Sequence, residues 1–212
     1  MKTTELHESL NTLPLIAILR GLQPTEALAV ATALVDSGFR IIEVPLNSPQ
    51  PLKSIATIAS RFGNEVLVGA GTVLNEDQAH QVLDSGGQLL IAPNLNLDVG
   101  RVATRAGIAW CPGVFTASEA FTALDAGAAA LKIFPAEAMP PVGIKALRAV
   151  LPEAARLLPV GGINLTNMQS YWDAGANGFG LGGSLYKPGQ SAASVAETAQ
   201  KFVTAIDSIR RS

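Results

Sequence analysis

The chain is short of several residue types, and each shortage closes off a class of function. Its single cysteine, Cys111, rules out an intramolecular disulfide or a cysteine metal cluster. It has two histidines. His7 lies in the N-terminal extension and His80 on an expected helix, so a His-based triad or zinc site lacks its principal residue. An all-oxygen Mg²⁺ site stays open. Aromatic residues make up 5% and charged residues 15%, against ~25% charged in a typical soluble protein. Neither a disordered chain nor a polyelectrolyte has this composition. A net charge of −2 gives no basic footprint for nucleic acid or an anionic membrane surface. Mean hydropathy is high at +0.31, yet no apolar run reaches the ~18 residues that span a bilayer. The start, Met1-Lys2-Thr3-Thr4-Glu5-Leu6-His7, lacks the apolar segment of a signal peptide. These shortages lead us to expect a cytoplasmic protein with one large core.

What is present is a repeat. A small residue followed by Gly recurs at Gly38, Gly86, Gly107, Gly127 and Gly175, at intervals of 48, 21, 20 and 48 residues. These intervals fit a unit of about 20 to 25 residues in which Gly ends each helix in the left-handed conformation. Eight β-rich runs keep the same period: Leu15–Leu19, Arg40–Val44, Val66–Ala70, Gln88–Ala92, Ile108–Cys111, Ala130–Phe134, Arg156–Val160 and Gly178–Leu181. Most are continuously apolar, as strands buried on both faces are. Between them the spacing predicts helices over Thr25–Val35, Pro51–Arg61, Glu76–Asp84, Ala117–Asp125, Val142–Val150, Thr166–Asp173 and Ala193–Ile209. Eight strand-helix units in 212 residues imply a parallel sheet closed into a (β/α)₈ TIM barrel, a single α/β domain over residues 1–212 with a short N-terminal helical extension. The alternative is an open doubly wound sheet. The absence of Gly-x-Gly-x-x-Gly after the first strand weakens its dinucleotide-binding version.

Against this apolar background, charges inside strands stand out. Arg20 ends the first run, Glu43 lies within the second and Lys132 within the sixth. Period-two alternation puts Ile41, Glu43 and Pro45 on one face, and Ala130, Lys132 and Phe134 on one face. Facing the helix layer, either charge would be buried without water at a cost of several kcal/mol, so both are expected to point into the barrel mouth. One reading is a buried Glu43–Lys132 ion pair that closes the barrel. The other is catalytic: desolvation leaves the lysine amine less protonated and able to attack a ketone, while Glu43 moves protons. Cys111 ends the fifth run and, without a histidine base, reads as a core residue.

A second constellation is glycine-rich. Gly161-Gly162 follows the seventh run and Gly180-Leu181-Gly182-Gly183-Ser184 the eighth. In many barrels the loops at these two places hold phosphate on bare backbone N–H groups. Gly71-Thr72 after the third run adds small polar lining.

Five phrases carry a resemblance: Ile16-Ala17-Ile18-Leu19-Arg20-Gly21, Glu43-Val44-Pro45-Leu46-Asn47-Ser48-Pro49, Val68-Gly69-Ala70-Gly71-Thr72-Val73-Leu74, Leu131-Lys132-Ile133-Phe134-Pro135-Ala136 and Gly161-Gly162-Ile163. In order and over nearly the whole chain, they resemble the class I aldolases that cleave 2-keto-3-deoxy-6-phospho sugar acids. The resemblance implies a Schiff-base lysine at Lys132 and a proton-transfer residue at Glu43. It implies substrate-binding roles for Arg20 and Thr72 and a phosphate cradle of Gly162, Gly182, Gly183 and Ser184. It also implies a phosphorylated sugar acid and pyruvate as partners, no cofactor, and a homotrimer. Pro45-Leu46-Asn47-Ser48 departs from the Thr-Leu-Arg-Thr of the gluconate branch and is closer to the galactonate branch, with the gluconate epimer as the alternative substrate. A barrel phosphosugar isomerase or decarboxylase, or a silent phosphosugar sensor, would share the glycine turns without needing an amine in the sixth run.

Overall fold

The computed structural model of the protein describes residues 2–211. Within them, strands and helices alternate: α1 (Lys2–Thr12), β1 (Leu15–Ile18), α2 (Ala27–Asp36), β2 (Ile41–Pro45), α3 (Pro51–Phe62), β3 (Leu67–Gly71), α4 (Glu76–Asp84), β4 (Leu89–Ile91), α5 (Leu97–Ala106), β5 (Ala109–Cys111), β6 (Gly113–Val114), α6 (Ala117–Asp125), β7 (Leu131–Ile133), α7 (Pro141–Arg148), β8 (Leu157–Pro159), α8 (Met168–Asp173), β9 (Phe179–Leu181) and α9 (Ala192–Ile209). All strand pairs are parallel. Six strands run in the order β5-β4-β3-β2-β1-β9 and three in the order β6-β7-β8. A parallel bridge between Val160 and Gly180 joins the two sections at one side. At the other, the Ala129 N–H donates to the Trp110 carbonyl at 2.8 Å and the Lys132 N–H to the Pro112 carbonyl at 2.9 Å. The result is a curled parallel sheet. The fifth expected run is longer than expected and broken in two at Pro112, which has no N–H to give a ladder.

Curling gives the sheet two cores. On its convex side Ala17, Ile42, Val44, Val68, Leu131 and Ile133 pack with helix residues such as Val30, Leu34, Ile55, Ile58, Phe202 and Ile206. On the concave side Ile16, Ile41, Leu67, Leu89, Ile91, Ala109, Cys111, Ala130 and Leu158 form a separate cluster with Leu6 and Leu10. The N-terminal extension therefore has a definite place. Helix α1 inserts two leucines, 0% and 2% exposed, into the inner cluster. Its ties to the body include a Lys2 N–H to the Gly107 carbonyl at 3.2 Å, a His7 Nε2 contact to the Ala129 carbonyl at 2.7 Å, and hydrogen bonds from Arg156 and Arg210 to Asn11 and Thr12.

Helices α4 and α6 keep their expected ends because each has a cap: Asn75 accepts from the Gln78 N–H, and Thr116 and Glu119 form a capping box. The five expected helix stops all have positive φ, including 68° at Gly107 and 102° at Gly175. Helix α5 is an addition to the expected set; Asn96 caps it, and Val99, Val102 and Ala103 bury its inner face. Among the described residues no helix is long and apolar enough to cross a membrane.

Candidate active site

Alternation along β2 and β7 directs Glu43 and Lys132 to the concave face, as expected: their neighbours Ile41 and Ala130 join the inner cluster, while Ile42, Val44, Leu131 and Ile133 join the outer one. Glu43 is 1% and Lys132 5% exposed, and they are the two buried charged residues among those described. No ion pair within 4 Å joins them, so the closing salt bridge expected as one alternative is not formed. Lys132 Nζ instead lies 4.9 Å from the centre of the Phe134 ring. Burial holds the Lys132 amine below the ordinary lysine value, against the attraction of Glu43, and the Arg20 charge lowers it further. Burial pushes Glu43 up to about 7, against the opposing pull of Lys132, Arg20 and the Gly71 N–H. One group is thus biased toward a free amine and the other toward sharing its proton near neutral pH. Cys111, buried in the inner cluster, is pushed up to about 12 by desolvation and stays a thiol.

Above Lys132 opens a cleft of about 740 Å³. Its walls include Arg20, Lys132, Gly162, Gly182, Gly183 and Ser184, so six of the eight expected site residues line one space. The other two, Glu43 and Thr72, are not part of its lining. Glu43 lies below it, its carboxylate so close to Gly71 that a Cβ there would overlap it. Gly71→Ala is therefore expected to displace the carboxylate and lower kcat/KM by roughly 10²-fold, measurable in a cleavage assay coupled to pyruvate release. Thr72 is half-buried at the end of β3 with φ 59°, a left-handed conformation that costs a β-branched residue ~1–3 kcal/mol.

The turns that shape the cleft are tied together. The Gly21 N–H, just after Arg20, donates to Ser48 Oγ at 3.0 Å, joining the turns that follow β1 and β2. Asn164 and Asn167 both donate to the Gly162 carbonyl, at 3.1 and 3.0 Å, and hold that turn in place. The amides of Ile163, Gly183 and Ser184 have no partner among the described residues. Glu137 and Lys187 also line the cleft. Glu137 stands on a short 3₁₀ helix, Ala136–Ala138, and Lys187 on a loop, where strand alternation gives no signal.

Residues 6–201 match the family model described as KDPG and KHG aldolase. The chain belongs to the KDPG and KHG aldolase family. Among its relatives in that family is the 2-dehydro-3-deoxy-6-phosphogalactonate aldolase of Escherichia coli (strain K12), 50% identical over 193 residues that cover 91% of this chain and 94% of the relative. A solved structure described as native KDPGal is 48% identical and superimposes with a TM-score of 0.92, covering 94% of this chain and 97% of its own. More distant is the KDPG aldolase of Legionella pneumophila, with pyruvate captured at low pH as a covalent carbinolamine intermediate. It is 28% identical with a TM-score of 0.82, covering 92% of this chain and 96% of that one. Like these aldolases, the family member described here is a carbon–carbon lyase.

Proposed function

We propose that this aldolase cleaves 2-dehydro-3-deoxy-6-phospho-D-galactonate to pyruvate and D-glyceraldehyde 3-phosphate through a Schiff base on Lys132. The observation that carries the mechanism is an amine in mid-strand, buried, outside any ion pair, and opening onto a cleft with free backbone amides. The substrate is drawn from the relative that is half identical along almost its whole length, and the covalent step from the carbinolamine of the Legionella enzyme.

Lys132 attacks the C2 ketone, and a proton passes through Glu43 as the carbinolamine loses water to give an iminium. Loss of the C4 hydroxyl proton to the same carboxylate then breaks the C3–C4 bond, and the bonding electrons pass into the iminium as an enamine. D-Glyceraldehyde 3-phosphate leaves. The enamine is protonated at C3, and water hydrolyses the resulting iminium to pyruvate and free Lys132. The iminium is the electron sink, so the scheme needs no cofactor. A carboxyl that titrates near 7 suits repeated proton exchange at neutral pH. The amides of Gly162, Gly182 and Gly183, with the amide and hydroxyl of Ser184, receive the phosphate. Arg20 and Thr72 serve the carboxylate end.

The sheet, on this proposal, is a closed (β/α)₈ barrel forming a single domain, with the β5–β6 segment counted as one strand. The enzyme is a cytoplasmic homotrimer. Leu74, Leu97, Phe115 and Phe121, 39–43% exposed, supply apolar surface for a second copy.

The test is chemical. Incubation with pyruvate followed by borohydride is expected to add one reduced pyruvate to Lys132, read by peptide mass mapping. No adduct, or an adduct elsewhere, overturns the imine mechanism in favour of a phosphosugar isomerase, decarboxylase or sensor. Parallel turnover of the two C4 epimers decides the substrate: a higher kcat/KM on the gluconate epimer would transfer the assignment to it.

A further inference from the structure

A cradle of amides provides hydrogen bonds but no full positive charge, whereas a phosphate monoester near pH 7 carries about −1.5 to −2. The charges lining the cleft are Arg20, Lys132, Glu137 and Lys187. Lys132 is committed to the covalent bond. Arg20 acts on both Lys132 and Glu43, which places its charge toward the reacting end. Glu137 lies against Gly161 and Gly162, where a Cβ would meet its side chain. The phosphate end would therefore have a net negative wall unless another cation faced it.

Lys187 is that cation. It follows Ser184 by three residues, is exposed, and its ammonium has no ion pair or hydrogen bond among the described residues. The loop that carries it is fixed. The Lys187 N–H donates to Gln190 Oε1 at 3.1 Å, and Gln190 Nε2 to Ser194 Oγ at 3.0 Å. Pro188 sits over Gly21, leaving no room for a Cβ there. A free cation on a fixed loop thus adjoins free amides from two separate turns.

We propose that Lys187 is the charged member of the phosphate subsite, offsetting Glu137 and selecting phosphorylated over unphosphorylated substrates. This rests on the aldolase reading above. The compact ammonium suits a tetrahedral oxyanion as a point charge, and the amides fix its orientation.

The test compares addition of pyruvate to D-glyceraldehyde 3-phosphate and to unphosphorylated D-glyceraldehyde, in the wild type, Lys187→Met and Lys187→Arg. Lys187→Met is expected to lower the ratio of kcat/KM for the two aldehydes by ~10- to 100-fold, mostly through KM for the phosphorylated one. The affinity for inorganic phosphate, measured by calorimetric titration, should fall with it, and Lys187→Arg should restore most of the selectivity. A ratio within about twofold of wild type, or equal losses on both aldehydes with phosphate affinity unchanged, overturns the role of Lys187. If the wild type adds pyruvate to neither aldehyde, the aldolase reading falls, and the phosphate titration alone decides on Lys187.

Discussion

Lys132→Met is expected to reduce cleavage on the order of 10⁵-fold or more, because the residual sites bind substrate but supply neither nucleophile nor electron sink. Stability should move the other way. Burial depresses the lysine's proton affinity, so between the lowered value and 10.5 the folded chain holds fewer protons than the unfolded one, and stability rises with pH across that window. An apolar side chain of similar length removes this burden, and the variant is expected to melt at the wild-type temperature or above it in calorimetry at pH 7. A structural ion pair would behave differently. Removing one partner of such a pair costs ~3–5 kcal/mol, about 10 °C in Tm for a chain of this length. Activity and melting temperature together therefore separate a catalytic amine from a strut. A loss of both would overturn the functional assignment.

The second large effect belongs to Glu43. Glu43→Gln keeps the shape and removes proton transfer, and kcat should fall by ~10²- to 10⁴-fold. Any limb of the wild-type rate profile near pH 7 should disappear from the residual rate. The same substitution tests the burial directly. A carboxyl raised from 4.5 to about 7 keeps its proton in the fold after the unfolded chain has lost it. Its cost to stability is therefore absent below about pH 4.5, grows as pH rises to about 7, and is constant above, reaching on the order of 3 kcal/mol. Denaturant titrations should show Glu43→Gln increasingly more stable than wild type across that window. A constant difference would mean that the carboxyl titrates normally and is wetter than the structure describes.

Much of this site was legible in the sequence because charge is rare in it. In a parallel strand buried on both faces, Glu43 and Lys132 had only one face to point to, and alternation named it. Two helices with a side-chain cap, α4 and α6, were legible to the residue, whereas α5, capped by Asn96, was not read at all. Where the information is tertiary, legibility failed. Nothing local says that Leu6 and Leu10 enter the inner cluster, since the pattern of α1 fits any amphipathic helix. Pro112 divides one strand into two segments that pair with different neighbours, a matter of sheet closure rather than propensity. Nor does alternation foretell that Thr72, which follows β3, takes a left-handed backbone with φ 59°. Glu137 and Lys187 belong to a short 3₁₀ helix and a loop, where exposed charges are ordinary until their surroundings are known.

The leucines of α1 bear on the order of events in catalysis. They fill the inner cluster at the end of the sheet away from the cleft that Lys132 lines. On the proposed mechanism pyruvate is held at the bottom, on Lys132, and the phosphorylated aldehyde nearer the opening. On that mechanism the products leave as from a dead-end street: the aldehyde first, then water in, then pyruvate out. In the synthetic direction pyruvate would then have to enter before its acceptor, and the packed leucines of α1 close the inner cluster beneath it.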